Sequence, residues 1–153
     1  RAAAVNFSTP YFESVLTIVT KDSDKEITSL NDLKGKIAAV QINTTGDFTA
    51  SDLLDEGGLK GVSRYDTVPE AMQTVIIGVS DVVIVDLPVA EAYLAANPNA
   101  PLKHVGPVSD SEFYGIALTK QNTELLEKIN SALEELHSNG TYDKIYEKWF
   151  GVK

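Results

Sequence analysis

Lys36-Ile37-Ala38-Ala39-Val40-Gln41-Ile42-Asn43-Thr44-Thr45-Gly46-Asp47-Phe48-Thr49-Ala50 is the stretch that decides the fold. Residues 36–40 form an apolar run that reads as a buried strand. Residues 41–46 read as a tight, hydroxyl-rich turn, and a helix over 48–56 follows, stopped by Gly57-Gly58. Such a turn gathers backbone N–H groups and two Thr hydroxyls at the partially positive start of a helix, where an anion is favoured. A phosphate and a carboxylate both fit that description, and so does plain capping of the helix.

Outward from this stretch the same alternation recurs. Residues 15–20, 62–65 and 82–85 are further strand candidates. Residues 69–77 read as a helix behind Thr67 as N-cap, with Gly78 as its stop, and residues 87–96 as an Ala-rich helix ended by Asn97-Pro98. Strands that are apolar throughout, alternating with helices, predict an α/β fold with a mixed, mainly parallel sheet of about five strands covered on both faces. Residues 114–118 read as one more strand. A long amphipathic helix over 123–137 then carries Leu125, Leu126, Ile129, Leu133 and Leu136 on one face, and Ser138-Asn139-Gly140 stops it. A last helix, 142–150, places Tyr142, Ile145, Tyr146, Trp149 and Phe150 along its apolar side.

The bulk composition narrows the function classes. The chain of 153 residues has a formal net charge of −9, which disfavours nucleic acid and anionic lipid as partners. It has no cysteine, so disulfides, thiolate catalysis and Cys-based metal sites do not arise. His104 and His137 stand far apart and in no ligand motif. No stretch approaches the roughly 20 apolar residues that span a bilayer. The chain opens on Arg1 in mid-phrase, without initiator Met or signal peptide, and so reads as a processed, excised or engineered piece.

Several chemistries fail on their residues. The turn at 41–46 is no Walker loop, because no Gly-Lys-Ser/Thr follows it, and the dinucleotide fingerprint is absent. Asn43 and Phe48 stand where a flavodoxin phosphate loop has hydroxyls. Asp86 ends the apolar strand at 82–85 and precedes Leu87-Pro88, so it lies at a strand's carboxyl end, where open α/β sheets bind ligands. It reads as an N-cap for the next helix, as an ammonium partner, or as a phosphoacceptor. The acidic pair that a phosphoacceptor needs for magnesium is not found. No Gly-x-Ser-x-Gly elbow and no acid–base carboxylate pair appear.

Arg1-Ala-Ala-Ala-Val-Asn-Phe-Ser-Thr-Pro-Tyr-Phe-Glu-Ser, Leu30-Asn-Asp-Leu-Lys-Gly-Lys, the 41–46 turn and Tyr65-Asp-Thr are the first of an ordered set of motifs. Asp81-Val-Val-Ile-Val-Asp, Tyr114-Gly-Ile-Ala-Leu-Thr-Lys and Asn139-Gly-Thr-Tyr-Asp-Lys-Ile-Tyr-Glu-Lys-Trp-Phe-Gly complete it. Together they resemble the amino-acid-binding proteins of ABC importers, the family 3 solute-binding proteins of the type II periplasmic binding fold. That family holds its ligand between two α/β lobes. The resemblance implies that Arg1 clamps the ligand α-carboxylate, that Thr45 adds a hydroxyl and an N–H, and that Asp86 takes the α-ammonium. Gln41 lies where some members place a side-chain selector, and Asn43 and Thr44 complete the expected ligand-binding set. The implied partners are a free L-amino acid and the importer's membrane subunits. The parent would be periplasmic or a cell-surface lipoprotein, without cofactor, metal or enzymatic step.

The resemblance also implies a division: residues 1–13 as a crossover from a first lobe, 14–116 as the second lobe, and 117–153 as helices that pack on the first. On this reading most of the first lobe lies before the position of Arg1, so the chain would bind weakly or not at all. Leaving the Leu and Ile face of the 123–137 helix bare would cost about 1.5–3 kcal/mol per side chain. The helix would therefore pack back on this lobe or on another chain. Two departures stand out. Asn43 replaces the family's usual Gly, and Gly78-Val79-Ser80-Asp81 behind Ile76-Ile77 makes an apolar patch where a basic residue is usual, as in an engineered or selected change. A lobe whose role is folding and self-association is the alternative. An enzyme on this fold, dehydratase-like or a lytic transglycosylase, is more remote, since no second carboxylate is placed beside Asp86.

Overall fold

Residues 36–40 feed a strand that lies second in a five-stranded sheet in the computed structural model, which describes residues 4–150. In chain order the strands and helices begin with β1 (Val5–Phe7), β2 (Phe12–Ser14), β3 (Leu16–Lys21), β4 (Ile37–Gln41), α1 (Thr45–Asp55), β5 (Gly61–Tyr65) and α2 (Val68–Ile77). They continue with β6 (Val82–Asp86), α3 (Leu87–Ala96), β7 (Leu102–Pro107), β8 (Glu112–Tyr114), β9 (Ala117–Thr119), α4 (Thr123–Ser138) and α5 (Thr141–Phe150). They fall into two compact units: Ser14–Ser111, and the flanking segments up to Glu13 and from Glu112 onward.

In the Ser14–Ser111 unit the strand order is β5-β4-β6-β3-β7. β4 runs parallel to both β5 and β6, while β3 is antiparallel to β6 and β7. Four strands thus point one way and β3 the other, a mixed α/β sheet. Both of its faces are dry, which is why the strands show no polar alternation. Ala38, Val40, Val82 and Ile84 pack with Leu16, Ile18, Leu33 and Ala50 of α1 on one side. Ala39, Val83 and Val85 pack with Ala71, Met72 and Val75 of α2 and Ala90 of α3 on the other.

Local signals set the helix ends. Thr67 and Glu70 form a reciprocal capping box at α2, and Gly78 closes that helix at φ 78°. α1 starts at Thr45, three residues before the sequence expectation, because Thr44 caps it. β7 was not read from the sequence: Lys103, His104, Gly106 and Pro107 break its apolar pattern, as an edge strand tolerates. His104 accepts the Gly106 N–H on Nδ1 (3.3 Å), a local structural role. Ile77 and Val79 are both exposed beside Gly78.

The flanking unit differs in kind. The single strand expected over 114–118 is two short ones: β8 pairs with β2, and β9 pairs antiparallel with β1. The break falls at Gly115, where a Cβ would stand 3.2 Å from the Ser8 carbonyl oxygen. There the Ser8 N–H donates to Ile116 O, and the Ile116 N–H donates to Ser8 Oγ, both at 2.9 Å. Phe12, Tyr114, Tyr146 and Phe150 form an aromatic cluster with Phe12 at its centre, at centroid distances of 5.2–6.0 Å. His137 lies 4.0 Å from Tyr142. The apolar side expected of α5 is only partly used: Tyr146 joins the cluster, whereas Ile145 is exposed and Trp149 is 70% exposed. No residue of α4 is buried.

Candidate ligand-binding site

β4 ends at Gln41 and hands the chain to a turn that several independent bonds hold. The Ile42 N–H donates to the Tyr65 carbonyl at the end of β5 (2.9 Å). Asn43 adopts φ 63°, the left-handed region that Asn tolerates better than other side-chain-bearing residues. The Thr44 hydroxyl donates to the Gln41 carbonyl (2.8 Å) and accepts the Asp47 N–H (3.3 Å), while Phe48 N–H donates to Thr44 O (3.1 Å) and starts the helical ladder. The capping reading of the turn therefore holds for Thr44. The N–H groups of Thr45 and Gly46, next along, make no bond to another described residue. They are the orphan donors of α1, at the positive end of its dipole.

Gly46 explains how close this helix start comes to the sheet. It is buried, and a Cβ there would stand 2.5 Å from the backbone oxygen of Ile84 in β6. β4 and β6 are parallel neighbours with Ala39 opposite Val83, so continuing the register sets Asp86 opposite Ile42. The turn at 41–46 and Asp86 thus occupy the carboxyl ends of adjacent parallel strands. Asp86 is the N-cap residue of α3 by position, but its carboxylate makes no capping bond there. The Leu87 N–H instead donates to Val15 O at 2.8 Å.

Gln41, Asn43, Thr44 and Thr45 therefore share one turn, and Asp86 ends the next strand. The Gln41 amide donates to the Asp66 carbonyl (3.0 Å), which ties the turn to the loop before α2. Arg1 lies outside the described residues. Asp47 and Arg64 join the turn without belonging to any motif that marks it. Asp47, 5% exposed, accepts the Asn43 N–H on Oδ2 (3.0 Å) and Arg64 Nε on Oδ1 (2.8 Å). Ser51 donates to Asp47 O (2.7 Å) and accepts Arg64 Nη2 (2.8 Å). An acidic residue in a helix's first turn was the available signal for Asp47; nothing local signals Arg64. Ile42 within the turn and Phe48 just after it are both about half exposed. Among the described residues no group of three or more His, Cys, Asp or Glu could hold a metal ion. The arrangement sets N–H donors and a carboxylate at neighbouring strand ends.

Comparison with known proteins agrees with this architecture. The model of the bacterial extracellular solute-binding proteins, family 3, matches residues 1–152. A probable histidine-binding protein of Neisseria gonorrhoeae is 36% identical over 98% of this chain and 56% of its own length. ABC transporter arginine-binding protein 1 of Escherichia coli K12 is 36% identical over 98% of this chain and 61% of its own. Among solved structures, an ancestral arginine-binding protein bound to arginine is 49% identical with a TM-score of 0.89, covering 96% of this chain and 65% of that one. The chain thus spans little more than half the length of these curated relatives. Its mixed sheet with helices on both faces is a lobe of the type II periplasmic binding fold. The chain belongs to the bacterial extracellular solute-binding proteins, family 3.

Proposed function

We propose that this chain carries one lobe's share of an L-α-amino-acid clamp from the binding protein of an ABC importer. The observation that supports the reading is the pairing of opposite chemistries at neighbouring strand ends: the N–H groups that begin α1, and Asp86 closing β6. A zwitterion meets both. Its carboxylate takes the Thr45 and Gly46 N–H groups and the Thr45 hydroxyl, and its ammonium takes Asp86. Thr44 holds the turn, and Gln41 and Asn43 border the ligand; the family resemblance gives Arg1 the role of a clamp for the ligand carboxylate. The parent would collect a free L-amino acid in the periplasm or at the cell surface and present it to importer membrane subunits. Relatives named for binding arginine and histidine support amino acids as the substrate class.

One lobe touches the ligand from one side only, so binding by this chain is weak or lost. Calorimetry with the common L-amino acids tests the affinity, and micromolar binding by a monomer would refute it. NMR titration with millimolar L-arginine tests the site. Shifts should concentrate at residues 43–48 and 84–88 and fade in Asp86→Asn; shifts centred elsewhere would overturn the assignment.

A second reading, a lobe that self-associates, is favoured by the exposure of Phe113, Leu125, Ile145 and Trp149. Sedimentation at several concentrations separates the two, since a strict monomer removes the second.

A further inference from the structure

Asn43 sits in the left-handed region, where a residue with a side chain persists only if its surroundings over-determine it. One bond that holds it, made by Asn43 itself, runs from the Asn43 N–H to Asp47 Oδ2 (3.0 Å). It has a consequence for the site. A nearly buried carboxylate now lies in the first turn of α1, beside the N–H groups that would receive a ligand anion. Alone, that carboxylate would absorb the positive end of the helix and repel a second carboxylate. Arg64 removes the conflict. It projects from β5, where it is paired with Val40, and places Nε 2.8 Å from Asp47 Oδ1. Its Nη2 is fixed on Ser51 Oγ, whose hydroxyl donates back to Asp47 O. The two oxygens of Asp47 therefore have separate tasks, one holding the turn and the other neutralised.

We propose that Asp47 and Arg64 are positioning residues of the site: Asp47 holds the Asn43 turn in its left-handed form, and Arg64 cancels the Asp47 charge so that the start of α1 still attracts a carboxylate. The charge half of this proposal rests on the carboxylate reading given above; the positioning half does not.

The test uses the ¹⁵N-labelled chain and two readouts, amide exchange at Asn43 and acetate titration followed at the Thr45 and Gly46 amides. Asp47→Ala should speed Asn43 exchange at least about tenfold, while Asp47→Asn, which keeps an acceptor oxygen, stays within about threefold. Asp47→Ser replaces Asp47→Ala if that variant loses its dispersed spectrum. Arg64→Met keeps the apolar stem and should weaken acetate binding about three- to tenfold, and Asp47→Asn/Arg64→Met should restore it. A purely structural Arg64 would show no such rescue. Unchanged Asn43 exchange in Asp47→Ala overturns the positioning half. Unchanged acetate affinity in Arg64→Met, or no recovery in the double variant, overturns the charge half. If acetate shifts neither amide of the unaltered chain, the carboxylate reading itself falls and the charge half with it, while Asn43 exchange still decides the role of Asp47.

Discussion

Replacing Gly46 by Ala tests whether the start of α1 is as tightly seated on β6 as the geometry requires. On propensity alone the change is favourable, by up to about 1 kcal/mol, because Ala is the better helix former. Gly46 has no positive φ to protect. The obstacle is steric: the added Cβ would lie 2.5 Å from Ile84 O and 3.1 Å from Ile84 C. Both are backbone atoms in the middle of the sheet, and neither can swing aside as a side-chain tip could. Overpacking of this kind costs about 1–3 kcal/mol, and here the relief available is a shift of the helix away from the strand. The net expectation is a loss of about 1–2 kcal/mol, or about 0.5–1 M in the urea midpoint. The same shift would draw Thr45 away from the end of β6, so the Thr45 and Asp86 amides should both move in the NMR spectrum. Gly61→Ala serves as the control, because nothing stands within 4 Å of a Cβ there and its φ is ordinary. It should change stability by no more than about 0.5 kcal/mol. A Gly46→Ala chain that unfolds at the same or higher urea concentration, with unmoved Asp86 signals, would refute the close seating.

Other variants probe separate features. Thr67→Ala removes one side of the capping box at α2 and should cost about 1 kcal/mol in urea unfolding. Ser80 is 4% exposed, and its Oγ finds no hydrogen-bond partner among the described residues, so Ser80→Ala should be neutral or stabilising by about 1 kcal/mol; a clear loss would reveal a bond to solvent. The Ile27 and Glu26 N–H groups hold the Asp24 carboxyl below its ordinary value of 3.8. Because the folded value is the lower one, this bonding stabilises the fold above pH 3.8, and the contribution disappears as pH falls through the folded value. Asp24→Asn should therefore lower the urea midpoint at neutral pH and leave it unchanged in strong acid, and equal losses at both would contradict the assignment.

Much of the α/β unit is legible in the chain because its signals are local. Thr67 with Glu70, and Gly78 at φ 78°, mark their helix ends through bonds that span only a few residues. β7 was missed because Lys103, His104, Gly106 and Pro107 make no apolar pattern; its strand character comes from pairing with β3 at the sheet edge. The strand expected over 114–118 splits because Ser8, more than a hundred residues earlier, bonds to Ile116 on both its backbone groups. The turn at 41–46 announces itself by its hydroxyls, its Gly and the apolar run before it. Asp47 and Arg64 do not, since they lie 17 residues apart and meet only when β5 docks in register beside β4.

The sequence by itself determined four of the five strands of the central sheet, the caps and stops of the helices around them, the burial of those strands on both faces, and a donor-rich turn and an Asp each at a strand's end. These depend on side-chain period and short-range bonding. Only the tertiary structure decided that β4 and β6 are neighbours, which sets the turn and Asp86 at adjacent strand ends. It alone decided that Gly46 must lack a side chain against Ile84 and that Arg64 answers the charge of Asp47. Strand order and register are settled by the packing of the whole sheet, and no short stretch of sequence contains them.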